Sequence, residues 1–262
     1  MFTAVFGIRE RRRRRLREVA FPKEWLAIVE RNFPLFGRLD EADRSELLGH
    51  AQVFLAEKRF EGAGGLEMTD EIRVTVAAHA CLLLLHREPH YYPELISIVV
   101  YPHAYVARVV QRGPDGVVHE FASARLGESW TRGVVVLSWD DVRAAGRDVH
   151  HAHNVVLHEF AHQLDAENGA VDGAPLLERR GMYAAWARIL SGEFDALRRA
   201  AARGVHTDID PYGATNPAEF FAVVTEAFFE QPLSLERRHP ALYEELALFF
   251  KQDPARLSSR GP

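Results

Sequence analysis

His158 and His162 stand four residues apart in the stretch NVVLHEFAHQLDAENG, with Glu159 beside the first of them. On a helix that spacing sets both imidazoles on one face, one turn apart, close enough to share a metal ion at about 2.0–2.1 Å each. Glu159 lies next to that face and can take a proton from an attacking water without being a ligand. The chain holds 13 histidines, so the pattern needs support. Two partly buried histidines hydrogen-bonded to backbone are the plainer alternative.

A catalytic zinc takes three protein ligands and leaves one position open. The form HExxHxxGxxH is excluded, because Asp165 and Asn168 occupy the positions of its glycine and third histidine. A glutamate from a second helix is the other source, and NPAEFFAVVTEAFFE offers two. Asn216 reads as the N-cap of that helix and Pro217 as its first residue. Glu219 falls in the first turn, where it could equally close a capping box. Glu226, two turns on among Phe and Ala, is a costly carboxylate unless it faces solvent or orients a ligand histidine. Asp165, three residues after His162, could orient that imidazole or lie on the surface near the helix end. The cluster His150, His151 and His153 precedes the helix and is not needed as a ligand set, and His206 reads as a loop residue.

These side chains need a scaffold, and the hydrophobic pattern predicts one of the α+β class: N-terminal helices, a small mixed sheet, the HExxH helix and C-terminal helices. Helices are expected over residues 22–32, from the N-cap Asp40 to about Glu57, from Thr69 or Asp70 onward, and over residues 155–167, 182–203, 217–230 and 240–252. Asn154 reads as the N-cap of the HExxH helix and Asn168-Gly169 as its stop. The runs ISIVVYP, YVARVVQR, VVHEFA and GVVVLSW read as strands, the middle two as a hairpin across GPDG. If GVVVLSW forms a sheet edge, an extended peptide could pair with it by main-chain hydrogen bonds. Residues 1–20 are expected to form a basic flexible arm, 21–254 a single domain and 255–262 a flexible tail.

In a chain of 262 residues, 47% hydrophobic and 26% charged, a packed globular core is expected and wholesale disorder is not. Residues Arg9 to Arg17 carry seven arginines and one glutamate, leaving the remainder near −11 against −5 for the whole chain. Such a run could hold nucleic acid or anionic lipid. Like charges repel, however, and the reading adopted is a solvated, frayed arm without such a partner. No apolar run approaches the roughly 20 residues needed to span a bilayer, no signal peptide is indicated, and the lone Cys81 fits a reducing cytoplasm.

HEFAHQLD followed at a distance by DPYGATNPAEFFAVVTEAFF resembles the Mlc titration factor A family of gluzincin metallopeptidases. The resemblance spans roughly Pro22 to Pro254 and is strongest between Val134 and Phe229. It implies a zincin-like fold and one zinc ion per chain held by His158, His162 and Glu219. It implies Glu159 as general base and Tyr212 as the phenol that hydrogen-bonds the oxyanion, although Tyr212 after Asp210-Pro211 could also be a turn-packing aromatic. It further implies a cytoplasmic, aminopeptidase-like enzyme acting on peptides. In the family's enterobacterial member it implies a transcriptional-repressor partner. A regulatory binding protein with structural or vestigial zinc is the competing reading, against which the retention of Glu159 counts.

Overall fold

The computed structural model describes residues 2–112, 118–125, 127–130, 133–145 and 153–258. The chain opens with α1 (Phe2–Glu18), α2 (Lys23–Asn32), α3 (Glu41–Glu57), β1 (Arg59–Gly62) and α4 (Asp70–Leu82). Five strands follow: β2 (Ser97–Tyr101), β3 (Tyr105–Arg112), β4 (Val118–Arg125), β5 (Gly127–Trp130) and β6 (Val134–Ser138). The rest is helical: α5 (Trp139–Ala144), α6 (Val155–Asp165), α7 (Met182–Ala202), α8 (Pro217–Glu230), α9 (Pro232–Arg238), α10 (Pro240–Phe250) and α11 (Pro254–Ser258). The fold is α+β.

Local chemistry sets most boundaries. Asp40 caps α3 by accepting from Asp43 N at 2.9 Å, Thr69 caps α4, Asn154 caps α6 and Asn216 caps α8. The main sheet runs β1-β2-β6-β5, its first three strands parallel and β5 antiparallel to β6. β3 and β4 form the expected hairpin, with Tyr105 opposite Arg125; its turn at 113–117 lies outside the described residues. β6 is buried along nearly its whole length, as expected of a strand paired on both sides and covered by α5 and α6. GVVVLSW is therefore not the edge. Among the described residues the outer strands are β1 and β5, and β5 lies beside α6. Apolar side chains from α2 through α11 share one buried cluster that includes Leu157, Phe160 and Ala161 of α6 and Phe221 and Val224 of α8, two helices in contact. Cys81 is buried in it.

The structure corrects both ends of the sequence reading. The basic segment is α1, laid along α3 with Arg9, Arg13 and Arg17 on one face. Arg13 is 4% exposed; its Nε and Nη2 reach Glu57 Oε1 and Oε2 at 2.9 and 2.8 Å, and its guanidinium stacks 4.6 Å from the Tyr91 ring centroid. Arg9 shares Glu57, and Arg17 donates to Tyr91 Oη at 3.1 Å. Burial alone would raise the Glu57 carboxyl, but its hydrogen bonds from Arg13 and Arg9 hold it at about 2. The start of the expected tail is α11, where Ala255 is buried and its N–H donates to Tyr243 Oη at 2.9 Å. No described helix is long and apolar enough to cross a membrane.

Candidate metal centre

The side chains of His158, His162 and Glu219 meet between α6 and α8. Asn154 Oδ1 accepts from Leu157 N at 3.1 Å and starts α6. The helix then buries Val156, Leu157, Phe160, Ala161 and Leu164 against the core. His158 and His162 are left on the opposite stripe, their ring centroids 5.0 Å apart and their side chains 14% and 12% exposed. Both are partly exposed, whereas His79 is fully buried. The Ala166–Asn168 turn closes the helix, and Gly169 follows at φ +90°, a left-handed position that glycine adopts freely.

α8 supplies the third group. Asn216 Oδ1 accepts from Glu219 N at 2.9 Å, so the cap is made. The Glu219 carboxylate meanwhile points at the imidazoles: Oε2 lies 3.0 Å from His158 Nε2 and 3.4 Å from His162 Nε2. The capping-box alternative does not describe this side chain. Burial works against charge on Glu219, but the hydrogen bonds from His158 and His162 prevail and set it at about 2. Burial likewise opposes charge on His158, and hydrogen bonds to Glu219 and Glu226 outweigh it, lifting the imidazole to about 10. A proton on His158 Nε2 sits where a metal ion would bind, so the two compete.

Glu226 is 2% exposed and faces inward. Its Oε1 lies 2.7 Å from His158 Nδ1, which fixes the imidazole with Nε2 toward Glu219. Its Oε2 accepts from Asn154 N. Glu159 is 4% exposed, burial raises its carboxyl to about 7, and its Oε2 has no hydrogen-bond partner among the described residues. A buried oxygen without a partner calls for a proton or a bound group. Tyr212 sits in the turn Pro211–Ala214, set by Asp210 Oδ1 accepting from its N–H at 2.8 Å. Its ring centroid is 6.0 Å from that of His158, and the residue is 55% exposed, at the lip of the site.

Asp165 departs from both expectations. It is fully buried, so it is not a surface residue. Its Oδ2 accepts from Gly173 N at 2.8 Å, while Oδ1 and His162 Nδ1 both lack partners among the described residues. Asp165 therefore pins the loop after α6 and makes no hydrogen bond to His162. Gly173 must be glycine there: at φ +79°, a Cβ would stand 2.4 Å from Pro217 O, and its absence lets the loop close on the start of α8. His153 is exposed, its Nδ1 3.9 Å from Glu226 Oε2, and His206 is an exposed loop residue. His150 and His151 lie outside the described residues.

The sequence reading missed Glu230 and His79 altogether. Glu230 Oε1 accepts from Asn154 Nδ2 at 2.8 Å, and His79 Nδ1 lies 3.0 Å from the same nitrogen. A second carboxylate four residues after Glu226 on an apolar helix was the available signal.

Among the described residues, two groups of three His/Asp/Glu side chains could hold a metal: His158, His162 and Glu219, and separately Asp43, Glu46 and His86. In the first, two imidazole Nε2 atoms converge on one carboxylate, an outer carboxylate orients one of them, and the buried Glu159 oxygen stands alongside. That donor set fits a divalent ion of the zinc type with an open position.

Comparison with known proteins agrees. The family model described as glucose-regulated metallo-peptidase M90 matches residues 8–251. An uncharacterized protein of Synechocystis sp., slr2042, is 41% identical over 245 residues, 93% of this chain and 89% of that protein. Proteins named Mlc titration factor A from Yersinia pestis strain Pestoides F and Yersinia pseudotuberculosis strain IP 31758 are each 34% identical over 226 residues, covering 85% of this chain and 83% of theirs.

Proposed function

The chain belongs to the glucose-regulated metallo-peptidase M90 family, with the zincin-like fold and the metal ion that membership implies, and from that premise we propose that it is a zinc-dependent, aminopeptidase-like peptidase of the cytoplasm. The observation that carries the reading is the meeting of His158 Nε2, His162 Nε2 and Glu219 Oε2 beside the buried carboxyl of Glu159. His158, His162 and Glu219 would hold one zinc ion. Bound there, zinc supplies a Lewis acid for the scissile carbonyl and the attacking water.

The remaining chemistry belongs to the chain. Glu159 takes the proton of the water and delivers it to the departing amine, a role that needs a carboxyl inside the site but off the ligand set. The Tyr212 hydroxyl, at the lip over His158, donates to the oxygen on which negative charge develops. Glu226 holds His158 in the tautomer that leaves Nε2 free. β5, an outer strand of the main sheet among the described residues and beside α6, offers main-chain groups to an extended peptide. A buried free thiol, Cys81, suits a reducing compartment.

The test is zinc content by elemental analysis together with turnover of aminoacyl and internally quenched peptides, for the native chain and Glu159→Gln. One zinc per chain in both, with turnover falling about 10²- to 10⁴-fold in the variant, is the expected result. Absence of zinc from carefully purified protein would overturn it. The name of the Yersinia relatives, Mlc titration factor A, favours a second reading in which the chain sequesters a transcriptional repressor and the zinc is structural. Stoichiometric zinc with no turnover of any peptide would select that reading.

A further inference from the structure

Asn154 is fully buried and engages three groups at once. Its Oδ1 accepts from Leu157 N at 3.1 Å and so caps the ligand helix α6. Its main-chain N–H donates to Glu226 Oε2, and its Nδ2 donates to Glu230 Oε1 at 2.8 Å. The amide cannot be reversed, because Nδ2 would then face the Leu157 N–H and Oδ1 would face a carboxylate. His79 Nδ1 lies near both amide atoms, 3.0 Å from Nδ2 and 3.3 Å from Oδ1, so the orientation of the amide is set by Leu157 and Glu230.

Glu226 and Glu230 are one helical turn apart on α8 and are 2% and 7% exposed. Two neighbouring buried carboxylates repel, and each needs donors to stay buried. Among the described residues Asn154 gives a donor to each, one from its backbone and one from its amide. With Oε2 of Glu226 tied to Asn154, Oε1 is held toward His158 Nδ1 at 2.7 Å. The imidazole's second nitrogen is thereby aimed at Glu219. Asn154 thus sets where the ligand helix begins with its side chain, and its amide bridge to Glu230 anchors the backbone N–H that holds Glu226 toward the first ligand.

We propose that Asn154 is a positioning residue for the metal centre, acting through its amide bridge to Glu230 and its backbone bond to Glu226, and not solely as a helix cap. The inference rests on the reading that His158, His162 and Glu219 bind zinc. Its geometry separates capping from bridging. Asp or Ser at 154 keeps a good N-cap acceptor. Asp loses the donor and sets a third carboxylate beside Glu226 and Glu230, whereas Ser is too short to reach Glu230. Asn154→Asp combined with Glu230→Gln restores the bridge with donor and acceptor exchanged.

The experiment measures zinc affinity of the full chain by chelator competition, and the visible absorption of the cobalt(II)-substituted protein, for the native chain, Asn154→Ser, Asn154→Asp and Asn154→Asp/Glu230→Gln. Circular dichroism confirms that each is folded. The expected result is a loss of about 10- to 100-fold in affinity for the Ser and Asp variants, the size seen when a group that orients a ligand histidine is removed. Their cobalt spectra should be altered, and the double variant should return to within a few-fold of native with the native spectrum. Should Asn154→Asp fail to fold, Asn154→Ser and the double variant still decide. Folded single variants with native affinity and spectrum would show that Asn154 only caps α6 and overturn the proposal. A native chain that binds no zinc would instead overturn the metallopeptidase reading on which it rests.

Discussion

Among the described residues, two clusters bring histidine and carboxylate side chains within metal-binding distance, and they are built on opposite plans. In the α6–α8 cluster, two imidazoles present Nε2 toward one Glu219 oxygen, and the far nitrogen of His158 is already engaged by Glu226. In the α3 cluster, His86 Nε2 pairs with Asp43 Oδ1 at 3.0 Å, Nδ1 faces Glu46 Oε2 at 3.5 Å, and the His86 backbone N–H donates to Glu46 Oε1 at 2.9 Å. There one imidazole is bracketed by acids on both ring nitrogens, so its acceptors and donors are spent on each other. Proximity alone does not make a metal site; the difference lies in whether free donor atoms converge on a common point and whether outer partners aim them there.

Breaking the first cluster should have the largest consequence. Glu219→Ala removes a proposed ligand, and both zinc content and peptide turnover should fall to background in elemental and kinetic assays. Retention of full zinc would transfer the third ligand elsewhere. Glu226→Gln keeps a hydrogen-bonding side chain but no longer offers a carboxylate to the His158 Nδ1–H. Zinc affinity should drop about 10- to 100-fold while saturating zinc restores most of the turnover. If Glu226→Gln changed neither, the outer carboxylate would not be what distinguishes this cluster from the other.

How much of this contrast could be read from the residues depends on the range of each interaction. The caps Asp40, Asn154 and Asn216 act within three residues, and the starts of α3, α6 and α8 were legible for that reason. His158 and His162 share a face by helical spacing alone. By contrast, α1 was invisible because repulsion among its arginines is local, whereas the neutralising Glu57 is 44 residues beyond Arg13. The edge position of β5 depends on a four-residue strand, GESW, without a period to detect. The burial of Asp165 depends on Gly173 approaching Pro217. Asn154 was legible as a cap and illegible as a bridge, since the bridge exists only once α8 lies across the start of α6.

Acid should test the metal-centre side of the comparison through His79, which is fully buried behind Asn154. Burial lowers its imidazole from 6.5 to about 4, outweighing hydrogen bonds to Asn32 O and Asn154. The unfolded chain therefore takes up this proton before the folded chain does. The contribution to stability is fully present above about 6.5 and is lost progressively as pH falls toward 4, by about 3 kcal/mol at most. Denaturant titrations of the metal-free protein at pH 7 and pH 4.5 should show that decline, and His79→Asn should flatten part of it. An unchanged slope would mean that His79 is protonated in the folded state as well.

The smallest effect is expected where the second cluster is cut. His86 sits at φ +59°, a left-handed backbone that asparagine tolerates better than most residues, so His86→Asn removes the imidazole with little new strain. The side chains concerned are 39%, 14% and 33% exposed for His86, Asp43 and Glu46. Partly solvated pairs of this kind contribute about 0–1 kcal/mol, and the cost should shrink further in high salt. Zinc stoichiometry, zinc affinity and peptide turnover should all stay at native values. Two zinc ions in the native chain and one in His86→Asn would reverse the comparison, because bracketing an imidazole between acids would then have to count as a way of building a metal site and not of closing one.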